Sequence, residues 1–168
     1  MNTIEAPDFH KSAKNEIVSM VNLKRTSSSD KNFQNLVSDL NNDLRARYNN
    51  TSYQFDVDIQ VDNINTVVLG LINEDAVGCG CFKEIGTDTV EIKRMFVNPY
   101  FRGLGISSSI LKELTIWANE LGYTKVVLET GRQQKESINL YSKYGFEIIE
   151  NFGPYSDMEN SVCMIKNL

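Results

Sequence analysis

The feature that most constrains the fold is a change in apolar period around Arg102. Before it, "TVEIKRMFV" over 89–97 is β-prone and predicts a strand. After it, apolar residues recur at helical spacing until Gly122, a natural helix end. The recurring residues are Ile110, Leu114, Trp117, Ala118 and Leu121. A strand, a glycine-rich turn and a helix in that order predict a phosphate site, because free N–H groups and the positive helix end converge there.

The other apolar patterns extend this unit to a mixed α/β sheet. A strand over 17–24 precedes a helix of about five turns, capped by Ser29 or Asp30. Its apolar face comprises Phe33, Leu36, Val37, Leu40, Leu44 and Tyr48. Next come "TVVLGLIN" and "AVGCGCFKEI", a hairpin with its turn at Glu74 and Asp75. The glycine turn and its helix are followed by the strand "KVVLET", the helix "QQKESINLYSKY" and the strands "FEIIE" and "SVCMIK". The whole order is a meander followed by βαβ crossovers.

Length and composition predict one domain. A chain of 168 residues with 41% apolar content suffices for a single core. We expect this domain to span 17–168, with 1–16 as a loose N-terminal segment. No signal-peptide core and no apolar stretch of about 20 residues occurs, which predicts a cytoplasmic protein without a membrane partner.

Net charge and cysteine content limit the kinds of ligand and metal site that we expect. The net charge of −5 argues against nucleic acid and favours a small molecule or a cationic group. Cys79, Cys81 and Cys163 form no even-numbered framework, so we expect reduced thiols, with the first two on one face of a strand. With His10 as the single histidine, no metal site is expected.

The glycine turn alone leaves several interpretations open. A P-loop is excluded, because its lysine and spacing are missing after Gly103. A dinucleotide fingerprint matches two of three glycines in "GLGISS", and Glu129 ends the next strand. Against it, the turn follows a charged strand, and 63 residues after Gly105 leave little room for a second half-domain. A turn that only connects strand to helix is the third interpretation.

Two motifs together resemble the GNAT superfamily of acetyl-CoA-dependent N-acetyltransferases. The family pattern R/Q-x-x-G-x-G/A, after a strand ending V-x-P, is matched by Val97, Pro99, Arg102 and Gly105, with Ser107 at the last position. The second pattern, N-x-x-A-x-x-x-Y-x-x-x-G-F, is matched by "QKESINLYSKYGF". Here Gln134 replaces asparagine and Ser137 replaces alanine, whereas Tyr141, Gly145 and Phe146 match.

The resemblance implies the fold and the donor. It implies a mixed, mostly antiparallel twisted sheet of about six or seven strands flanked by helices, and transfer of an acetyl group from acetyl-CoA to a primary amine by direct attack in a ternary complex. The implied coenzyme-binding residues are Met95, Phe96, Val97, Arg102, Gly103, Leu104, Gly105, Ile106, Ser107, Gln134 and Tyr141. A homodimer stays open, and a non-catalytic acyl-CoA sensor is the alternative function.

Two residues match the family's catalytic positions. Glu91 occupies the position of the base, on a strand too polar to be buried on both faces, and shares a face with Lys93, Met95 and Val97 by alternation. Tyr141 matches the tyrosine that protonates the coenzyme thiolate. The alternative for Glu91 is a solvated carboxylate or a partner for Lys93, and the alternative for Tyr141 is a core aromatic.

The acceptor side is less defined. The family grips its acceptor with the first helical region and the loop between the last strands. These correspond to Arg45, Arg47 and Tyr48, and to 151–160. The arginines could hold a substrate carboxylate or serve as solvated cations at the helix end.

Overall fold

The computed structural model describes residues 20–48 and 63–168, and within them seven strands form one twisted sheet. The strands are β1 (Val21–Thr26), β2 (Val67–Ile72), β3 (Asp75–Gly86), β4 (Thr89–Val97), β5 (Lys125–Gly131), β6 (Glu147–Ile149) and β7 (Ser161–Asn167). Their order across the sheet is β1-β2-β3-β4-β5-β7-β6. Only the β4–β5 pair is parallel among these strands, so the sheet is mixed and mostly antiparallel, as predicted.

Three helices cover the two faces of the sheet. They are α1 (Lys31–Arg47), α2 (Ile106–Glu120) and α3 (Lys135–Lys143). Helix α1 packs its buried residues Phe33, Leu36, Val37 and Leu40 on one face, together with both thiols of the CGC pair. Helices α2 and α3 pack on the other face, around Ile110, Leu111 and Leu114. The result is a three-layer α/β/α arrangement with two apolar clusters.

Most predicted elements are confirmed, and three details are wrong. The first strand begins at Val21 rather than 17, with 17–19 outside the described residues, as is the predicted N-terminal segment 1–16. The β2–β3 turn consists of Asn73 and Glu74, both at positive φ, so that Asp75 already pairs with Ile72. Leu121 lies past the end of α2 and is exposed.

A bulge in β4 changes which side chains share a face. Arg94 has a φ of +58°, and the β3–β4 register slips there, since Cys79 faces Phe96 while Cys81 faces Lys93. The extra residue shifts the alternation by one. Val97 therefore joins the α2 cluster, and Phe96 joins the α1 cluster. The expectation that Glu91 shares a face with Met95 and Val97 is wrong for this reason.

The parallel pairing of β4 and β5 stops early. The strands pair from Thr89 with Lys125 to Ile92 with Leu128, and no pairing continues along the five further residues of β4 that the structure describes. On its other side, β5 pairs with β7 along its whole length, from Lys125 to Gly131. We call this opening the fork. It leaves one edge of 93–97 free of ladder hydrogen bonds to β5.

Close packing of α2 on the sheet depends on a glycine in β3. A Cβ on Gly80 would lie 2.5 Å from the Met95 Sδ and 2.9 Å from a Leu114 methyl carbon. Real Cβ atoms do not approach other atoms so closely, hence the Met95 and Leu114 side chains would have to move in a densely packed core.

We therefore expect Gly80→Ala to lower the free energy of unfolding by about 1–3 kcal/mol, the usual cost of overpacking a core. Urea denaturation measures the change. Gly86→Ala is the matched control, since a Cβ there meets nothing nearer than Thr89 Cβ at 3.8 Å. Equal stability of the two variants would contradict the packing account.

Candidate active site

A cavity of about 320 Å³ opens at the fork. Its lining includes Leu40 and Leu44 of α1 from one face of the sheet, and Ile106 and Tyr141 from the other. Residues on opposite faces can line one cavity where the strands between them part or end. Both conditions hold at the fork, and Phe96 at the end of β4 forms part of the cavity wall.

The glycine turn places a helix start at this cavity. Pro99–Phe101 forms a 3-10 turn whose first residue follows Asn98, and the Asn98 side chain accepts a hydrogen bond from the Tyr100 N–H. Gly105 then adopts a φ of +82° as the N-cap of α2 and provides no side-chain cap. The N–H groups of the first turn stay available to an anion, and Gly103 and Ser107 line the cavity beside them.

Arg102 is held in place at the mouth of the turn. Its Nε donates to the Val97 carbonyl at 3.0 Å, and its guanidinium carbon lies 5.6 Å from the centroid of the Phe96 ring. One terminal nitrogen lies 3.3 Å from a carboxylate oxygen of Asp43 on α1. The side chain keeps 40% of its surface exposed, which leaves donors for a further anion.

Charges on α1 and α3 link the two helices across the cavity. Arg47 of α1 forms an ion pair with Glu136 in the first turn of α3 and lies 3.9 Å from Asp43. All three side chains line the cavity with Arg102. Arg47 is therefore not a simply solvated cation at the helix end. Arg45 is exposed and does not line the cavity.

Tyr48 joins the end of α1 to the start of α3. It is buried, and burial raises the pKa of the phenol, whereas the nearby Gln134 side chain acts to lower it. A Cβ on Gly131 would lie 1.9 Å from the Tyr48 hydroxyl, so a glycine at that position admits the tyrosine. Tyr48 thus lies beside Gln134, which lines the cavity, and holds the end of α1 next to the start of α3.

Tyr141 reaches the cavity from α3. The side chain is 5% exposed, and its ring lies 5.8 Å from that of Phe146. Burial raises the pKa of Tyr141 well above its usual value, and the nearby charge of Glu129 adds to the effect. The phenol therefore stays protonated over the whole working pH range and is a hydrogen-bond donor.

Glu91 lies in a buried polar cluster, contrary to the expected half-exposed strand. The carboxylate is 5% exposed and accepts from the Tyr155 hydroxyl at 2.7 Å and from the Lys93 ammonium at 3.3 Å. Lys93 also donates to the Tyr155 hydroxyl at 3.0 Å. Burial of these charges is tolerated because they neutralise each other and are hydrogen-bonded. The cluster fastens the loop before β7 to β4.

Most of the predicted coenzyme residues come together at the cavity. The exceptions are Leu104 and Gly105, which lie in the turn but do not line it. Sequence reasoning missed Tyr155, which lies in the loop expected at the acceptor side, because an aromatic in a loop gives no periodic signal. It also missed Asp43 and Glu136, whose role depends on two helices meeting far apart in the chain.

The two cysteines of β3 are buried and hydrogen-bonded within the fold. Cys79 and Cys81 are buried, and their Sγ atoms donate to the carbonyls of Arg94 and Lys93 at 3.4 Å, next to the bulge. Burial raises the pKa of the Cys79 thiol, which makes it a poor nucleophile. In residues 20–48 and 63–168, no group of three or more His, Cys, Asp or Glu side chains is arranged to hold a metal ion.

A match to a family model identifies the family to which the chain belongs. The model of the Acetyltransferase (GNAT) family matches residues 33–146, which span α1, the fork, the glycine turn and the Tyr141 helix. The chain belongs to the GNAT acetyltransferase family. This membership supports an acyltransferase that uses acetyl-CoA as co-substrate, as the two motifs predicted.

Known GNAT proteins resemble the chain over this core. An IAA acetyltransferase from Azospirillum brasilense is 41% identical over 96 residues, which cover 55% of this chain and 61% of the relative. The uncharacterized N-acetyltransferase YsnE from Bacillus subtilis is 33% identical over 97 residues, or 56% and 64%. The matched segment thus spans less than two thirds of either relative.

Solved structures extend the likeness of the fold to nearly the whole chain. An acetyltransferase from Streptococcus agalactiae has a TM-score of 0.70 at 22% identity, covering 89% of this chain and 99% of its own. A GNAT acetyltransferase from Elizabethkingia anophelis, solved with acetyl-CoA bound, has a TM-score of 0.65 at 21% identity over the same shares. No described helix is long and apolar enough to span a membrane.

Removal of the Tyr155 hydroxyl tests the buried cluster. We expect Tyr155→Phe to lower the free energy of unfolding by about 1–2 kcal/mol, because Glu91 and Lys93 each lose a buried hydrogen bond. Thermal or urea unfolding measures this change in the free energy of unfolding. Tyr100→Phe is the matched control, since Tyr100 is 93% exposed. A Tyr155→Phe protein as stable as this control would show that the hydroxyl does not fasten the loop.

Proposed function

We propose that this GNAT protein transfers the acetyl group of acetyl-CoA directly to a primary amine of a small molecule or peptide, within a ternary complex. The observation that carries the proposal is the cavity at the fork. It joins the glycine turn to Tyr141 and is lined by residues from both faces of the sheet, while Glu91 lies on β4 outside its lining. Donor and acceptor could thus approach one point from opposite faces of the sheet, without a covalent enzyme intermediate.

The pyrophosphate of the coenzyme would bind at the glycine turn. The uncapped first turn of α2 offers N–H donors, and Arg102 adds a fixed positive charge. Ser107 could add its hydroxyl. The pantetheine would then follow the parted edge of β4 along 95–97, whose N–H and C=O groups are not used by β5. The same edge would polarise the thioester carbonyl through a backbone N–H near Val97.

Glu91 is our candidate for the base that receives the proton of the attacking amine. Its carboxylate already accepts the Tyr155 hydroxyl, so the proton could reach Glu91 through that hydroxyl or through water. The Lys93 ammonium lies 3.3 Å from the same carboxylate and balances its charge in the buried cluster. The burial of Glu91 makes a relayed route more suitable than direct contact with the acceptor.

Tyr141 is our candidate for the group that donates to the coenzyme sulfur. A phenol of ordinary pKa is a weaker acid than a thiol by about 1.5 pKa units, so full transfer to a thiolate costs about 2 kcal/mol. Burial increases this cost. Tyr141 would thus act first by hydrogen bonding to the negative sulfur in the transition state, and proton transfer would follow as the product leaves.

Buried thiols suit a cytoplasmic setting for this reaction. Cys79 and Cys163 are buried as reduced thiols, the form that a reducing compartment preserves. We extend the proposal to a cytoplasmic enzyme with a small-molecule or peptide partner rather than a nucleic acid.

Replacement of the Tyr141 hydroxyl tests the chemistry. We expect Tyr141→Phe to lower kcat about 100-fold, within the range for a lost proton donor, and to change the Kd of acetyl-CoA by less than about threefold. Thiol release from acetyl-CoA with a panel of primary amines gives kcat, and calorimetry gives Kd.

The matched control is Tyr144→Phe, which makes the same change at the C-cap of α3, at a residue that does not line the cavity. Unchanged kcat in Tyr141→Phe would remove Tyr141 from the chemistry. Acetyl-CoA binding by the parent protein with no thiol release for any amine would replace the enzyme with an acyl-CoA sensor.

A further inference from the structure

A carboxylate of α1 lies against the arginine of the glycine turn. Asp43 is located one turn before the end of α1 and lines the cavity together with Arg102. One of its oxygens is 3.3 Å from a terminal nitrogen of Arg102, and the Asp43 side chain keeps 27% of its surface exposed. A negative charge therefore lies beside the place where the phosphates of the coenzyme would bind.

Two other contacts already fix the orientation of Arg102. Its Nε donates to the Val97 carbonyl, and its guanidinium lies over the Phe96 ring. Asp43 instead contacts a terminal nitrogen, which is the part of a guanidinium that binds the oxygens of a phosphate. The contact with Asp43 thus uses a donor that the pyrophosphate needs, and the orientation of Arg102 does not depend on it.

Asp43 has a second cation within reach. Its other oxygen is 3.9 Å from a terminal nitrogen of Arg47, one turn farther along α1. Arg47 in turn pairs with Glu136, whose side chain is 61% exposed. The four side chains thus alternate in sign along the cavity. An ion pair at such partly exposed positions is weak, so Asp43 can give up Arg102 and remain beside Arg47 at small cost.

The charge of Asp43 opposes an anionic ligand in two ways. Its ion pair with Arg102 must break before the phosphates can use that nitrogen, and the carboxylate then repels the phosphates at close range. Neither effect involves the acyl end of the ligand. Because acetyl-CoA and the product coenzyme A carry the same pyrophosphate, the two ligands should be affected equally.

We propose that Asp43 competes with the pyrophosphate of the coenzyme for Arg102, which weakens binding of the acetyl donor and favours release of coenzyme A after transfer. This inference rests on the donor site of the proposed function and adds a residue that sets its affinity. In the free protein, Asp43 pairs with Arg102. When the coenzyme binds, Arg102 turns to the phosphates and Asp43 pairs with Arg47. Release of the product matters because it limits the turnover of many enzymes.

Asp43→Asn is the test variant. The amide has the shape of the carboxylate and keeps an oxygen for Arg102, but it has no charge. The matched control is Asp39→Asn, which removes the same charge one turn earlier on α1, at an exposed residue that does not line the cavity. Calorimetry measures the Kd of acetyl-CoA and of coenzyme A at about 50 mM and about 500 mM salt, because salt screens partly exposed charges.

We expect Asp43→Asn to lower the Kd of both ligands about fivefold at the lower salt concentration, the upper range for one charge pair at a partly exposed site. The ratio of the parent Kd to the variant Kd should fall toward one at the higher salt concentration. The Kd values of the Asp39→Asn control should stay within about twofold of the parent.

Three results would overturn the inference and leave the acetyl transfer intact. An unchanged or higher Kd in Asp43→Asn would make Asp43 either neutral or a residue that positions Arg102. An equal gain in Asp39→Asn would assign the effect to net charge, and a gain that persists at high salt would assign it to packing. A parent that binds neither acetyl-CoA nor coenzyme A would overturn both the proposed donor site and this inference.

Discussion

The parting of β4 from β5 is the constraint on which the rest of the structure depends. Beyond Ile92 and Leu128 the two parallel strands no longer pair, although each keeps its partner on the other side. A sheet without this fork would separate α1 from the two helices on the opposite face, and no cavity could join them. The unpaired edge needs other partners, and the protein supplies one in Arg102, which donates to the Val97 carbonyl.

The bulge at Arg94 accompanies the fork on the same strand. It turns Phe96 toward α1 and Val97 toward α2, so the end of β4 contacts both layers. Two buried thiols donate to the carbonyls next to the bulge. The "CGC" sequence thus has a physical role: cysteine is small enough for the α1 cluster and can donate weakly, while Gly80 between the thiols admits α2.

Charge is divided between the two faces at the fork. The anion-binding elements, namely the uncapped turn and Arg102, belong to the start of α2. The carboxylates of Glu91 and Glu129 face the α1 side. A donor that carries phosphates would meet a complementary charge at the start of α2.

The fold was predictable where local rules decide. The element order and the start of α1 at Asp30 follow from periodicity and capping, and Thr89–Val97 has the bounds that its β-prone sequence predicts. The predicted alternation of side chains between the two faces of β4 is wrong beyond Arg94, because a bulge depends on the register with a neighbouring strand. Burial of Glu91 was missed because its partners include Tyr155, 64 residues away. The Arg47–Glu136 contact was missed because it depends on how α1 and α3 meet.

The most direct test of the central claim is a calorimetric comparison of acetyl-CoA and NAD on the same protein. Both ligands carry a pyrophosphate, so a turn that binds phosphate in general would not separate them. The fork predicts that acetyl-CoA binds at one site per chain, that NAD gives no saturable heat, and that Arg102→Gln weakens acetyl-CoA binding about tenfold or more through loss of a charged contact. Arg45→Gln, which removes an exposed arginine outside the cavity, should bind like the parent. Saturable NAD binding without acetyl-CoA binding would contradict the account.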